Sequence, residues 1–165
     1  MGYTHYFEYK PESITAMQAM VLCQDVRQIV ECSEIAITGW SSRGTEAPEF
    51  NPEGRIAFNG IGDEGCETFA IQFNAPQEPN SDDELERYHY KSFIERDRAI
   101  WSFCKTNYRP YDRVVCAALL RAVDVLPEFI VDSDGSWNAE KDWIAGRDLY
   151  FHVFGQEPVC PWEYD

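Results

Sequence analysis

The sequence predicts an α+β fold with a mainly antiparallel sheet and about three helices packed on one face. Short runs of aromatic and β-branched residues are interspersed with stretches whose apolar residues recur at helical spacing. The order is β-α-β, then further strands, then α-β-α, which lacks the strict alternation of a parallel α/β protein. The chain has 165 residues, the size of one domain, so we expect a single globular domain over residues 1–165.

The N-terminal part predicts a strand followed by a long helix. The segment Tyr3 to Tyr9 is rich in aromatic residues, which favour strands, and Pro11 ends it. Ser13 is the expected N-cap of a helix that runs to about Cys32, because apolar residues recur along this stretch at helical spacing.

The middle of the chain predicts β structure and loops. The expected segments are a short strand at 35–40, a loop at 41–54, a hairpin of strands 55–59 and 68–73 around a turn at 60–65, and an exposed acid-rich loop at 74–86. Residues 88–97 fit a helix or a strand equally well.

The C-terminal part predicts two more strands and two more helices. The strands are expected at 99–105 and 129–131. The first helix has Pro110 in its first turn and ends before Pro127, and the second runs from about 138 to 154 and ends at Gly155.

Composition and charge exclude several classes of partner. The chain carries 14 Lys and Arg against 29 Asp and Glu, a net charge of −15, which repels nucleic acid and anionic membranes. The first ten residues lack the features of a signal peptide, and the longest uncharged apolar run, 114–120, is too short to span a bilayer. We expect a cytoplasmic protein that binds neither nucleic acid directly nor a membrane.

The cysteines and glycines predict neither a metal site nor a cofactor. Six scattered cysteines include no C-x-x-C pair and no histidine at zinc-ligand spacing, which favours reduced thiols. Cys104 is a candidate nucleophile, but no histidine stands at catalytic spacing from it. Gly60, Gly62 and Gly65 match G-x-G-x-x-G, yet a β-type segment follows where dinucleotide binding requires a helix. The sequence thus assigns no catalytic residue and favours a binding protein over an enzyme.

The one basic window of the chain predicts an anion site. Residues 98–113 hold four basic residues and one acid, a net +3. Lys105, Thr106 and Arg109 lie there, where a strand leads into a helix start whose backbone N–H groups suit a phosphate or carboxylate. The alternative is that Asp112 satisfies this helix start while the cations are solvated or paired with acids.

Aromatic residues complete the predicted ligand-binding set. Tyr3, His5 and Tyr111 are candidates for contact with a nucleobase. Asn59 is the remaining member of the predicted ligand-binding set. The alternative for the alternating aromatic residues of the first strand is packing in the core and on the sheet face.

Several short blocks carry a resemblance to a known family. They are Met1-Gly2-Tyr3-Thr4-His5-Tyr6, Phe58-Asn59-Gly60, Glu67-Thr68-Phe69, Phe103-Cys104-Lys105-Thr106 and Arg109-Pro110-Tyr111-Asp112. The chain resembles a family of small uncharacterised proteins of bacteriophages, prophages and their hosts. The resemblance implies an accessory protein in the host cytoplasm that counters host defence, and it transfers no catalytic residue.

Three functional hypotheses follow. The first is a non-catalytic protein that forms a homo-oligomer and binds a small anionic, nucleotide-like ligand. The second is an acidic mimic of nucleic acid that binds a DNA- or RNA-handling host protein, as the charge of −15 allows. The third is a nucleotide phosphodiesterase or hydrolase whose site is assembled from distant positions.

Overall fold

The computed structural model describes residues 2–162, and within them it has seven strands and four α-helices. The strands are β1 (Thr4–Tyr9), β2 (Ile37–Thr38), β3 (Glu49–Phe50), β4 (Arg55–Gly60), β5 (Phe69–Gln72), β6 (Ile100–Lys105) and β7 (Ile130–Ser133). The helices are α1 (Ala16–Ser33), α2 (Glu84–Glu95), α3 (Asp112–Val125) and α4 (Ala145–Phe154).

The strands form two antiparallel sheets. In the first sheet β1 lies between β6 and β7, and in the second β4 pairs with β2, β3 and β5. The predicted hairpin of residues 55–59 and 68–73 is confirmed as the β4–β5 pair. The predicted α+β class with antiparallel sheets is confirmed as well.

Strand β1 alternates between the core and the outer face of its sheet. His5, Phe7 and Tyr9 are buried, whereas Tyr6 and Glu8 are partly exposed on the other side. The inward side chains meet the helices, because side chains on a strand point to opposite faces in turn.

Three helices form the layer that covers the core. Helix α3 contacts both α1 and α4 and is almost wholly buried along its length. Helix α2 stands apart from this layer and buries only Phe93. Three of the four helices therefore pack together, and the fourth covers a different part of the molecule.

Helix α1 begins later than predicted. Thr15, not Ser13, is the N-cap: its hydroxyl accepts a hydrogen bond from Gln18 N (3.1 Å), and Gln18 Oε1 accepts one from Thr15 N (2.9 Å). This reciprocal pair satisfies two backbone donors. Ser13 instead lies in a short 3₁₀ turn that starts at Pro11.

Other element boundaries also move. Within the predicted loop 74–86, Asp83 accepts hydrogen bonds from two backbone N–H groups and starts α2, so the ambiguous segment 88–97 is mostly helical. The predicted loop 41–54 contains the short strand β3. Pro110 precedes α3 rather than lying in its first turn.

The last helix differs from the prediction at its start and agrees at its end. Residues Glu140–Ile144 form a π-helical turn before α4. Gly155 adopts a left-handed conformation (φ 69°) and ends the helix, as predicted. None of the helices in the described range, 2–162, is long and apolar enough to cross a membrane.

A close approach of two helices gives the first prediction. A methyl group on Gly146 of α4 would lie 2.3 Å from Cys116 Cβ on α3. Helix propensity alone would make Gly146→Ala stabilising by about 0.5–1 kcal/mol, but overpacking costs about 1–3 kcal/mol. We expect net destabilisation in urea unfolding; a more stable variant would contradict this helix contact.

Candidate functional site

A cleft of about 470 Å³ opens between β5, β6 and α2. This volume lies in the range of small-molecule sites. Its lining residues are Tyr9, Trp40, Arg55, Ala70, Gln72, Pro76, His89, Ser92, Phe93, Ala99, Ile100, Trp101 and Ser102. No aspartate or glutamate is among them, although the chain has 29.

Two tryptophans give the cleft its aromatic surface. Trp40 is 46% exposed and Trp101 is 44% exposed, so each offers ring surface to a ligand. The guanidinium of Arg55 lies 4.3 Å from the ring centre of Trp40, and the guanidinium of Arg96 lies 5.4 Å from the ring centre of Trp101. A positively charged guanidinium therefore lies near each of the two tryptophan rings.

Arg55 is held in place from the neighbouring strand. Its Nε and Nη2 donate hydrogen bonds of 2.8 and 2.9 Å to the carboxylate of Glu49 on β3. This two-point contact raises the pKa of Arg55 and lowers that of Glu49. The guanidinium is thus fixed and charged, with part of its charge offset by Glu49.

The inner wall of the cleft is tied to the first sheet. Gln72 N donates a 2.7 Å hydrogen bond to the hydroxyl of Tyr9, which connects β5 to β1. Burial raises the pKa of Tyr9, so its hydroxyl keeps its proton at neutral pH. The wall is therefore rigid and uncharged.

The four cations of the basic window lie outside the cleft lining, although residues 99–102 of the same window contribute to it. Lys105, Arg109 and Arg113 are exposed, and none of them forms an ion pair with a residue in the range 2–162. Arg98, the fourth cation of the window, pairs with Glu12. The predicted anion site at Lys105 and Arg109 stays a prediction.

Three other predicted ligand-binding residues are buried and bonded within the protein. Thr106 donates to Asp112 Oδ1 (2.5 Å), and Tyr111 donates to the carbonyl of Glu67 (2.6 Å). Asn59 Nδ2 donates to the carbonyl of Cys66 at 3.0 Å, which helps to close the turn after β4. Their polar groups already have protein partners.

Two predicted residues remain, His5 and Tyr3. His5 belongs to a buried polar cluster, which we call the buried centre, and Tyr3 lies against it. Its members are His5 on β1, Thr106 after β6, Asp112 and Cys116 on α3, and Ser133 on β7. His5 Nε2 lies 2.7 Å from Asp112 Oδ1, and Cys116 Sγ lies 3.6 Å from both His5 Nε2 and Asp112 Oδ2. Tyr3 contacts His5 edge-on at 4.9 Å. Of the predicted ligand-binding residues, His5 and Thr106 are thus brought together inside the core, with Tyr3 against His5.

The hydrogen bonds of Ser133 fix the tautomer of His5. Ser133 Oγ accepts from Gly135 N (3.0 Å) and Trp143 Nε1 (3.1 Å). Both lone pairs are then used, so the Ser133 hydroxyl donates to His5 Nδ1 at 2.9 Å. The ring hydrogen consequently lies on Nε2 and is donated to Asp112.

Neither Cys104 nor Cys116 is suited to be a nucleophile. Burial raises the pKa of the Cys104 thiol and the pKa of the Cys116 thiol. The charge of Asp112 raises the pKa of Cys116 further. Both thiols are inaccessible in the core. Cysteine catalysis thus finds no support at these two positions.

Sequence reasoning missed the cleft and part of the buried centre. Trp40 and Trp101 are distant in sequence, and no motif joins them. Asp112 and Cys116 stand four residues apart, which places them on one helical face, and this spacing was the one local signal for the centre.

The Thr106 hydroxyl gives the second prediction. Thr106→Val keeps the volume but leaves the buried Asp112 carboxylate without one donor, which we expect to cost about 2 kcal/mol in unfolding free energy. Thr45→Val, on an exposed loop, is the matched control and should change stability by less than about 0.5 kcal/mol. Equal effects of the two substitutions in urea unfolding would contradict the role of this hydrogen bond.

Comparisons with known proteins add no further constraint. A scan against protein-family models, a search of curated proteins and a search of solved structures each found no match. The assignment of function therefore depends on the geometry described above.

Proposed function

We propose that this chain is a non-catalytic binding protein that takes a small, planar, anionic ligand of nucleotide type into the cleft between β5, β6 and α2. The observation that carries the proposal is the composition of the lining. In a chain of net charge −15, the cleft has two tryptophans, an arginine and a histidine and no carboxylate.

Physical chemistry connects this lining to the ligand class. A nucleobase gains about 1–3 kcal/mol by stacking on an aromatic side chain, and Trp40 and Trp101 offer half-exposed rings. Arg55 and His89 provide donors for an anionic group. None of the lining residues in the range 2–162 is acidic, although Glu49 contacts Arg55 from β3 and offsets part of its charge.

The lining also explains why binding is proposed rather than turnover. General acid–base chemistry needs two titratable groups placed across a reacting bond. His89 is the one imidazole in the lining, and no carboxylate, thiol or lysine accompanies it there. The hydrolase hypothesis therefore has no catalytic pair at this cleft.

Ligand titration with tryptophan variants gives the third prediction. Calorimetry and tryptophan fluorescence against mono-, di- and cyclic dinucleotides should detect a ligand, and Trp101→Ala should weaken its binding about tenfold or more because a stacking surface is lost. Phe151→Ala is the control, since Phe151 is 48% exposed on α4 and lies outside the lining. Flat traces across the whole panel would contradict the proposal.

Neutralising the basic window gives the fourth prediction and separates two locations for the ligand. Lys105→Gln with Arg109→Gln removes two exposed cations that do not line the cleft. At 0.15 M salt, where screening acts over about 8 Å, we expect Kd to change less than threefold. A loss of binding affinity as large as the one expected for Trp101→Ala would instead indicate that the ligand binds at the basic window.

The acidic-mimic hypothesis has one supporting feature. The five acids of the segment 78–86, which are Glu78, Asp82, Asp83, Glu84 and Glu86, are all exposed at the start of α2. This surface suits a basic partner protein. The mimic, the phage accessory role and homo-oligomerisation stay predictions.

A further inference from the structure

We propose that the buried centre binds a divalent transition-metal ion, Zn²⁺ by preference, through His5 Nε2, Asp112 and Cys116 Sγ. The ion would be structural, since all three ligands are enclosed by the core. This inference is independent of the cleft, which shares no residue with the buried centre.

The distances between the three donor atoms resemble those of a tetrahedral site. With zinc–ligand bonds of about 2.0–2.3 Å, sulfur should lie about 3.5 Å from each of the other ligands and nitrogen about 3.3 Å from oxygen. Cys116 Sγ lies 3.6 Å from His5 Nε2 and 3.6 Å from Asp112 Oδ2. The 2.7 Å contact of His5 Nε2 is with the other carboxylate oxygen, Asp112 Oδ1. The carboxylate must therefore turn, and the nitrogen–oxygen separation must widen by roughly 0.6 Å, before one oxygen reaches that geometry with both ligands.

The local charge also favours a cation. Asp112 and Asp142 are both buried, and neither carboxylate forms an ion pair with a lysine or arginine in the described range 2–162. Burying a carboxylate without a cationic partner is costly. A divalent ion bound by His5, Asp112 and the Cys116 thiolate would offset the charges of its two anionic ligands, Asp112 and Cys116.

Two buried oxygen atoms beside the centre lack hydrogen-bond partners. They are the hydroxyl of Tyr3, a residue only 1% exposed, and Asp142 Oδ1. Orphaned buried oxygens are uncommon in folded proteins. The ring of Tyr3 contacts the ring of His5 edge-on at 4.9 Å, so one of these two oxygens belongs to a direct neighbour of the proposed ligands.

The surrounding groups provide the outer contacts that metal ligands need. Ser133 lies 2.9 Å from the second ring nitrogen of His5, and Thr106 donates to Asp112. On binding, the Cys116 thiol releases its proton to solvent, and the ring hydrogen of His5 moves from Nε2 to Nδ1. There Ser133 Oγ must accept it in place of one of its two present donors, Gly135 N or Trp143 Nε1. One proton leaves for each ion bound.

The competing state is metal-free, with the same side chains hydrogen-bonded to one another. The two states differ in metal content and in the charge of one thiol. Measuring the bound metal and the protons released therefore distinguishes them. The full chain should be unfolded with a chelator and refolded with one equivalent of Zn²⁺, one of Co²⁺, or chelator alone.

The fifth prediction is the outcome of this refolding. We expect one ion per chain after gel filtration, release of one proton per ion, a higher melting temperature than with chelator, and a thiolate-to-cobalt charge-transfer band. Cys116→Ser should lose the band. Cys104→Ser, at another buried cysteine outside the ligand set, should keep it.

Two results would overturn the proposal. One is wild-type protein that refolds without retaining either ion. The other is a cobalt band that persists in Cys116→Ser. If Cys116→Ser does not fold, the metal content, proton count and band of the wild-type chain still decide between the two states.

Discussion

The hydrogen bond between His5 and Asp112 joins the central strand to the central helix, and much of the architecture depends on it. It spans 2.7 Å between two buried side chains, where an unpaired polar group would be expensive. Thr106 and Ser133 complete the network from the ends of β6 and β7. Three strands and one helix thus meet at a single point inside the core.

This interaction also determines what the first sheet presents to solvent. His5 stands opposite Cys104 on β6 and Ser133 on β7, so all three point inward. Side chains alternate along a strand, which directs Trp101 and Phe103 outward. A slip by one residue would bury the tryptophan and expose the histidine. The buried polar network and the exposure of Trp101 are therefore two consequences of one strand register.

Local signals made much of the fold predictable. Pro11, Pro127 and Gly155 mark the ends of elements through backbone constraints that act within a few residues. The start of α1 was misplaced because Ser13 and Thr15 are both good N-caps, and only Thr15 has the glutamine three residues later that completes the capping box.

The candidate sites were less predictable, because distant segments build them. The cleft takes residues from seven separate parts of the chain between Tyr9 and Ser102, and the buried centre joins positions 5, 106, 112, 116 and 133. Counting charges along the sequence drew attention to Lys105 and Arg109, but a count does not show that the Thr106 hydroxyl between them is already bonded to Asp112.

The acidic surface places a condition on any anionic ligand of this chain. At long range a net charge of −15 repels an anion, and screening confines that repulsion to about 8 Å at physiological salt. Inside the cleft the lining contributes no carboxylate, and Arg55 is partly neutralised by Glu49. Attraction between charges alone is then a weak source of affinity, so most of it must come from contact with Trp40 and Trp101. A ligand with a large ring system and few charges fits this balance better than a compact polyanion.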